Sequence, residues 1–188
     1  LRALQNKAKS NMALIHYLTQ IQFDFGAVRL LPDECARIGI RRPLVVTDRG
    51  VVAAGVAEQA LAPIAGKLQH ALFDETPGNP TEAAVLKALA QYRSHGADGL
   101  IAVGGGSSMD LAKAVAILAT HPGPLTQYAT IEGGSPKITA AAAPLIAIPT
   151  TAGTGSEVAR GAIIVLTDGR KVGFHSWNLM PKAAICDP

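Results

Sequence analysis

The sequence predicts an α/β fold, specifically a Rossmann-like, doubly wound parallel sheet. Apolar residues make up 48% of the 188 residues and charged residues only 16%, which suits a sheet that is buried on both faces. Short apolar runs alternate with segments of helical periodicity, as in parallel strands joined by helices. In Leu100–Ala119, one such run passes through three consecutive glycines directly into a helical pattern. A chain of this length has room for one such domain.

The beginning of the chain is expected to lie outside the sheet. Residues 1–11 form a short basic leader that we expect to be disordered, and residues 12–188 form the α/β domain. The leader has no long apolar segment behind it, so it does not match a signal peptide. Ala13–Leu18 and Ile21–Phe25 are predicted as two short strands, either a hairpin or an edge pair.

Two helices are predicted in the first half of the domain. Pro32–Ile38 is followed by Gly39, a residue type that favours the left-handed conformation at a helix end. Val56–Leu68 is rich in alanine, and Pro63 must kink it or begin a second segment.

Two further helices follow. Thr81 is expected to cap a helix that runs to Arg93 and is ended by Gly96. The apolar sides of this helix and of the helix after the glycines are predicted from their spacing to contain Val85, Leu86 and Leu89, and Leu111, Val115 and Leu118.

The remaining strands are short apolar runs, and one pair of them forms a hairpin. His121–Lys137 contains three prolines and three glycines and is predicted to be a loop. Asp168-Gly169 is a typical hairpin turn between two of the runs. The predicted strands are Pro43–Thr47, Gln69–Phe73, Asp98–Val103, Leu145–Pro149, Ile163–Leu166, Lys171–Phe174 and Ala183–Cys186.

The glycine turn after the central strand is a candidate site for a pyrophosphate. Gly104–Gly106 have no β-carbons, so a phosphate can approach the backbone closely, and the N–H groups of the next helix point toward it. Ser107 or Ser108 is expected to cap that helix. The alternative is a tight turn whose glycines serve packing alone.

Two other strand ends carry polar groups. Asp48 follows Pro43–Thr47, where a carboxylate can bind a ribose hydroxyl or can simply cap a helix. Pro149–Glu157 combines three threonines, a serine and two glycines directly after another strand. That density of hydroxyl groups favours a second turn that faces a phosphate or a ribose.

Several classes of protein are disfavoured by the sequence. The net charge of +3 is spread out without interleaved aromatic residues, so we expect no nucleic-acid partner. No apolar run is long enough to span a bilayer, so we expect no membrane partner. Cys35 and Cys186 are far apart and are expected to be reduced, buried thiols of a cytoplasmic protein. The five histidines have no zinc-motif spacing, and neither a P-loop nor a G-x-S-x-G elbow is present.

Four motifs together resemble a known family. They are Val46–Asp48 (VTD), Asn79–Thr81 (NPT), Gly104–Ala114 (GGGSSMDLAKA) and Pro149–Val158 (PTTAGTGSEV). Their order and spacing are similar to those of the iron-containing, group III alcohol dehydrogenases, from about residue 18 to the last residue. Other segments, such as Tyr128–Ser135 (YATIEGGS), resemble members of the family that act on 4-hydroxybutyrate.

The resemblance implies a dinucleotide-binding domain and a set of cofactor contacts. Gly105, Gly106 and Ser107 would hold the pyrophosphate, and Asp48 would bind the adenine ribose hydroxyls and favour NAD over NADP. The remaining implied cofactor contacts are Asn79, Thr150 and Thr151 from neighbouring loops, and Lys171 at the nicotinamide ribose. For Lys171, the alternative is a solvated hairpin lysine.

The resemblance also implies a metal-activated dehydrogenase. Its substrates would be a small hydroxy acid or primary alcohol and the aldehyde, with 4-hydroxybutyrate and succinic semialdehyde as the expected pair. Arg160 could bind the substrate carboxylate or could be a surface residue. The family binds its divalent metal, iron or zinc, in a C-terminal helical domain that we expect to be absent from this chain, so we expect this fragment alone to be inactive. The full-length protein is expected to be a homo-oligomer.

Other functions remain open at this stage. A relative of the glycerol dehydrogenase or maleylacetate reductase type would contain the same motifs. A non-catalytic dinucleotide-binding module would also suit a chain without a set of metal ligands.

Overall fold

A computed structural model describes residues 19–188, so the predicted leader and the predicted strand Ala13–Leu18 lie outside the described residues. The described helices are α1 (Leu31–Ile38), α2 (Arg49–Ala53), α3 (Val56–Leu61), α4 (Glu82–His95) and α5 (Gly106–Thr120). The strands are β1 (Gln20–Phe23), β2 (Pro43–Val46), β3 (Ala71–Phe73), β4 (Gly99–Gly104), β5 (Leu145–Pro149), β6 (Gly161–Val165), β7 (Lys171–His175) and β8 (Ala183–Cys186).

Six of the strands form a parallel sheet in the order β1-β8-β5-β4-β2-β3. Strand β2 pairs with β3 on one side and with β4 on the other. The chain therefore leaves β2 in one direction and later returns to its opposite side. In such a sheet, ligands bind in the crevice outside the carboxyl ends of the two strands at this switch point. The doubly wound α/β fold is confirmed.

The sheet is covered on both faces, as its almost uninterrupted apolar strands require. Alternate residues of β4 separate into two cores, with Leu100 and Ala102 in one and Ile101 and Val103 in the other. Helices α4 and α5 and the β6–β7 hairpin contribute to the first core, whereas α1 and α3 contribute to the second. All four of these β4 residues are completely buried, and burial of each of the three larger side chains, Leu100, Ile101 and Val103, stabilises the fold by about 1.5–3 kcal/mol.

Most of the predicted elements are found, with small shifts at their ends. Gly39 and Gly96 adopt the left-handed conformation at the ends of α1 and α4, and Thr81 caps α4 through a bond from the Ala84 N–H. The helix predicted to break at Pro63 ends as α3 at Leu61 and continues as a 3-10 turn. The β6–β7 hairpin is antiparallel and encloses the predicted turn.

Some predictions are wrong. Leu86 is 50% exposed, because it lies on α4 beside the buried Val85 and turns away from the core that Val85 and Leu89 reach. Helix α2 was not predicted. Strand β1 pairs in parallel with β8 at the sheet edge, whereas the predicted pairing of this segment with Ala13–Leu18 lies outside the described residues. The predicted loop from His121 to Lys137 contains 3-10 turns.

Candidate functional site

The glycine turn joins the central strand to the N-terminus of the long helix α5. Strand β4 ends at Gly104, whose φ of 148° suits glycine, Gly105 is the N-cap, and α5 begins at Gly106. No side chain caps the helix. The prediction that Ser107 or Ser108 caps it is wrong, because both serines already lie inside its first turn. The first N–H groups of α5 are therefore left for a ligand.

The two serines of the first turn have different roles. Ser107 Oγ donates a hydrogen bond of 2.7 Å to the Gly78 carbonyl, which ties the turn to the loop after β3. Ser108 is 1% exposed, and its Oγ has no hydrogen-bond partner within the described chain. A buried hydroxyl without a partner costs free energy, and a polar ligand or an ordered water molecule would remove that cost.

Asp48 lies at the carboxyl end of β2, across the switch point from the glycine turn. Its side chain caps α2, because Oδ1 accepts a hydrogen bond of 3.0 Å from the Val51 N–H. The interpretation as a helix cap is therefore confirmed. The carboxylate also faces the turn, since a Cβ added to Gly104 would lie 3.6 Å from Oδ2. Capping uses one carboxylate oxygen and leaves the second available to a ligand.

Asp48 and the glycine turn line one open cavity of about 680 Å³, which we call the Asp48 cavity. It brings together six of the eight predicted cofactor contacts. The rest of its lining includes the carboxylates of Asp74 and Glu75, the hydroxyl of Thr76 and the positive group of Arg49, together with apolar residues and glycines. The lining residues are Asp48, Arg49, Gly50, Val51, Asp74, Glu75, Thr76, Pro77, Gly78, Gly105, Gly106, Ser107, Ser108, Thr150 and Thr151.

The other two predicted cofactor contacts bind each other next to this cavity. Lys171 Nζ at the start of β7 donates a hydrogen bond of 3.0 Å to Asn79 Oδ1. Asn79 directly follows Gly78, the acceptor of the Ser107 hydroxyl. Lys171 is exposed, as the alternative of a solvated hairpin lysine also requires.

A smaller cavity of about 250 Å³, the His175 cavity, continues from the glycine turn on the side of the hairpin. Gly106 belongs to both this cavity and the Asp48 cavity. Its lining residues are Gly106, Asp110, Thr154, Ser156, Ala159, Gly161, Ile163 and His175. The two cavities thus lie next to each other at the N-terminus of α5.

A third cavity of about 530 Å³ opens at the carboxyl ends of β1, β5 and β8, and we call it the Phe23 cavity. It shares Thr150 and Thr151 with the Asp48 cavity. The hydroxyl-rich turn after β5 therefore lies between two cavities, in accord with its predicted contact with a ligand.

A buried lysine is bonded to residues that line the His175 cavity, and it was not predicted from the sequence. Lys113 on α5 is completely buried, and its Nζ donates to Ser156 O, Ser156 Oγ, Ala159 O and Gly161 O at 2.7–2.9 Å. Burial lowers the pKa of this lysine to about 8, and the nearby carboxylates of Asp110 and Glu157 oppose the change. Its signal in the sequence was a single lysine within the otherwise apolar run Leu111–Ala119.

Arg160, the predicted substrate contact, lies outside these cavities. Its guanidinium carbon lies 4.5 Å from the centre of the Trp177 ring, and both residues are exposed. It does not line any of the three cavities described above.

Other findings concern thiols, metals and membranes. Cys35 and Cys186 are free, and Cys35 is buried as predicted; the prediction that Cys186 is buried is wrong, because it lies at the end of β8 on the wall of the Phe23 cavity and is partly exposed. Within residues 19–188, no three His, Cys, Asp or Glu side chains are arranged to hold a metal ion. None of the helices described is both long and apolar enough to cross a membrane.

Comparison with known proteins identifies relatives of the whole described chain. Residues 19–188 match the family model for iron-containing alcohol dehydrogenase. The 4-hydroxybutyrate dehydrogenase of Cupriavidus necator is 73% identical over 177 residues, which cover 94% of this chain and 46% of that relative.

Solved structures give the same picture. The structure of a 1,3-propanediol oxidoreductase has a TM-score of 0.85 and 33% identity, covering 94% of this chain and 46% of that one. A sulfoacetaldehyde reductase from Bifidobacterium kashiwanohense, solved in complex with NAD+, has a TM-score of 0.81 and 28% identity over 94% of this chain and 46% of that one. The chain thus spans just under half the length of these relatives.

Proposed function

Because this chain belongs to the iron-containing alcohol dehydrogenases, we propose that it binds NAD in the switch-point crevice as the cofactor-binding part of a dehydrogenase. The observation that carries the proposal is the Asp48 cavity, which joins Asp48 at the end of β2 to Gly105–Ser107 at the end of β4. Open parallel sheets bind dinucleotides at this point. The relative that was solved with NAD+ supports the choice of ligand.

The pyrophosphate lies on the N-terminus of α5 in this proposal. The N–H groups of Gly106, Ser107 and Ser108 belong to the first turn of an uncapped helix. Such N–H groups, together with the positive end of the helix dipole, favour an anion. A Cβ added to Gly105 or Gly106 would contact only threonine side chains at 3.5 Å or more, so the near side of both glycines is open.

Asp48 binds the hydroxyls of the adenine ribose. Its second carboxylate oxygen accepts hydrogen bonds from those hydroxyls, whereas it would repel the additional phosphate of NADP. Asp74 and Glu75 line the same cavity and add negative charge, although Glu75 is paired with Lys87 at 3.2 Å. We therefore expect NAD to be preferred.

The nicotinamide half extends toward Asn79, Lys171 and the His175 cavity. This direction follows from the position of Gly106 in both cavities, with the pyrophosphate between them. Lys171 would donate a hydrogen bond to the second ribose, and its existing hydrogen bond to Asn79 would keep the ammonium group in place. Thr150 and Thr151 contact the cofactor from the opposite wall.

For the whole protein we propose hydride transfer between 4-hydroxybutyrate and succinic semialdehyde. The 73% identity to a 4-hydroxybutyrate dehydrogenase supports this pair more than other substrates of the family. When bound, the nicotinamide ring accepts or donates the hydride, and a divalent metal, iron or zinc, polarises the substrate oxygen. The chain's own residues bind and orient the dinucleotide. We also propose that the whole protein acts as a homo-oligomer in the cytoplasm.

Titration of the chain with NADH and separately with NADPH, followed by calorimetry, tests the proposal. We expect saturable binding of NADH that is at least about tenfold tighter than binding of NADPH. Tighter binding of NADPH than of NADH would show that Asp48 does not bind the hydroxyls of the adenine ribose. Binding of neither dinucleotide would contradict the proposed function of the chain.

A further inference from the structure

Lys113 connects α5 to the wall of the His175 cavity. Its four acceptors belong to Ser156, Ala159 and Gly161, and all three residues line that cavity. The four acceptors converge on Nζ at 2.7–2.9 Å, and because an ammonium group has three N–H donors, two of the acceptors share one donor. The segment between the hydroxyl-rich turn and β6 is thereby attached to the helix that begins at the glycine turn.

Asp110 attaches the same segment one turn earlier on α5. Its Oδ1 accepts a hydrogen bond of 2.8 Å from Ser156 Oγ, and its Oδ2 accepts one of 3.0 Å from the Ile163 N–H. Ser156 Oγ therefore donates to Asp110 while it accepts from Lys113. We call Asp110, Lys113 and Ser156 the α5 clamp.

Forming the α5 clamp costs free energy, so we infer that its geometry serves a function other than stability. A completely buried ammonium group loses its hydration, and its hydrogen bonds offset only part of that cost. A well-packed apolar side chain at the same place would often leave a protein equally stable. What the apolar side chain could not do is fix three backbone carbonyls in the cavity wall relative to Gly106.

We propose that Lys113 is a positioning residue for the nicotinamide half of the cofactor. It acts through the α5 clamp, which sets the distance between Gly106 and the segment Ser156–Ile163 and so sets the width of the His175 cavity. This inference rests on the proposed function, because it assigns that cavity to the nicotinamide end. The Asp48 cavity does not include Lys113, so the adenosine half is not affected.

The test compares NADH with ADP, which lacks the nicotinamide riboside, as ligands of the chain. We expect Lys113→Met to raise the Kd of NADH about tenfold and to change the Kd of ADP less than about twofold. Lys67→Met is the matched control, because it removes the same charge from an exposed position outside the three cavities. It is expected to leave both Kd values unchanged.

Each of the other outcomes below would overturn the inference about Lys113. An equal loss of NADH and ADP binding in Lys113→Met would show a merely structural lysine and would overturn the inference while the proposed function stands. If Lys113→Met does not fold, Lys113→Gln takes its place, since its shorter amide keeps a polar group but cannot make all the bonds to the three backbone carbonyls; an unchanged ratio of the two Kd values would then overturn the inference. If the unaltered chain binds neither ligand, the proposed function fails and the inference fails with it.

Discussion

The Asp48 side chain caps a helix and at the same time faces the proposed ligand site. Its Oδ1 caps α2, and the same carboxylate faces the glycine turn across the switch point. Asn at an N-cap stabilises a helix about as well as Asp, whereas Ala costs about 1 kcal/mol. The pair Asp48→Asn and Asp48→Ala therefore separates the cap from the charge.

For Asp48→Asn we expect a nearly unchanged free energy of unfolding and a smaller preference for NADH over NADPH. For Asp48→Ala we expect a loss of about 1 kcal/mol in addition. Urea denaturation and calorimetric titration of both variants check these results. An undiminished preference for NADH in Asp48→Asn would show that the charge does not discriminate between the cofactors.

The two thiols should differ in reactivity. Burial raises the pKa of Cys35 to about 12, with smaller contributions from the Asp98 and Glu34 carboxylates, and it also raises the pKa of Cys186, which is partly exposed. A raised pKa keeps a thiol protonated, so at pH 8 only about one Cys35 in ten thousand is a thiolate.

With Ellman's reagent at pH 8 we expect Cys186 to react first and Cys35 only after unfolding. Cys186→Ser is the control, and it should leave the folded chain almost unreactive. Rapid reaction of that variant would show that Cys35 is accessible.

Arg160 remains the predicted contact of the substrate carboxylate, and its stacking on Trp177 supplies the alternative role. In the full-length enzyme, Arg160→Ala is expected to lower kcat/KM for succinic semialdehyde relative to butyraldehyde at least about tenfold. An unchanged ratio of the two kcat/KM values would show that Arg160 is a surface residue that does not bind the substrate carboxylate.

At the scale of elements, the strand–turn–helix unit β4–α5 depends on Gly104 more than on its two neighbours. A Cβ at Gly104 would lie 2.6 Å from Ser108 Oγ, and the φ of 148° is strained for any other residue. At Gly105 the φ is −83° and the nearest side-chain atom is 3.5 Å away.

We therefore expect Gly104→Ala to lower the free energy of unfolding by about 1–3 kcal/mol. Gly105→Ala should lower it by less than about 1 kcal/mol and should weaken NADH binding, because the added methyl group lies where the pyrophosphate approaches. Denaturation and titration of both variants give the comparison. Equal losses of stability would contradict this difference between the two glycines.

The elements that the sequence predicted best are those with a local physical cause. Gly39, Gly96 and Thr81 end or cap helices by their own chemistry, and strands β5 and β8 are apolar runs without competing interpretations. Helix α2 was missed because it has no buried residue and hence no apolar periodicity.

The site was predictable to the extent that its residues lie at strand ends. Asp48 and the glycine turn could be paired from sequence because parallel strands deliver their carboxyl ends to one edge. The α5 clamp could not, since Lys113 and Ser156 are 43 positions apart and meet only after the hairpin packs on α5. The partner of Ser107, the Gly78 carbonyl, is likewise a tertiary contact.

At the scale of the whole molecule, the chain carries the crevice that we propose to bind NAD, and its described residues carry no set of metal ligands. We expect the chain by itself to bind the dinucleotide without oxidising 4-hydroxybutyrate. The absorbance of NADH formed in the presence of added Fe²⁺ or Zn²⁺ measures this directly. Sustained metal-dependent turnover would contradict the expectation.

In the function proposed above, the dinucleotide lies across the N-terminus of α5 at the switch point. Nuclear magnetic resonance of the isotopically labelled 19.4 kDa chain during titration with NAD+ tests it most directly. We expect the amide signals of Gly105, Gly106, Ser107 and Asp48 to shift most. Gly39 and Gly96 lie before the amino ends of β2 and β4, at the other end of these strands. If the four signals stay in place and the largest shifts occur around these two glycines, the proposed site is wrong.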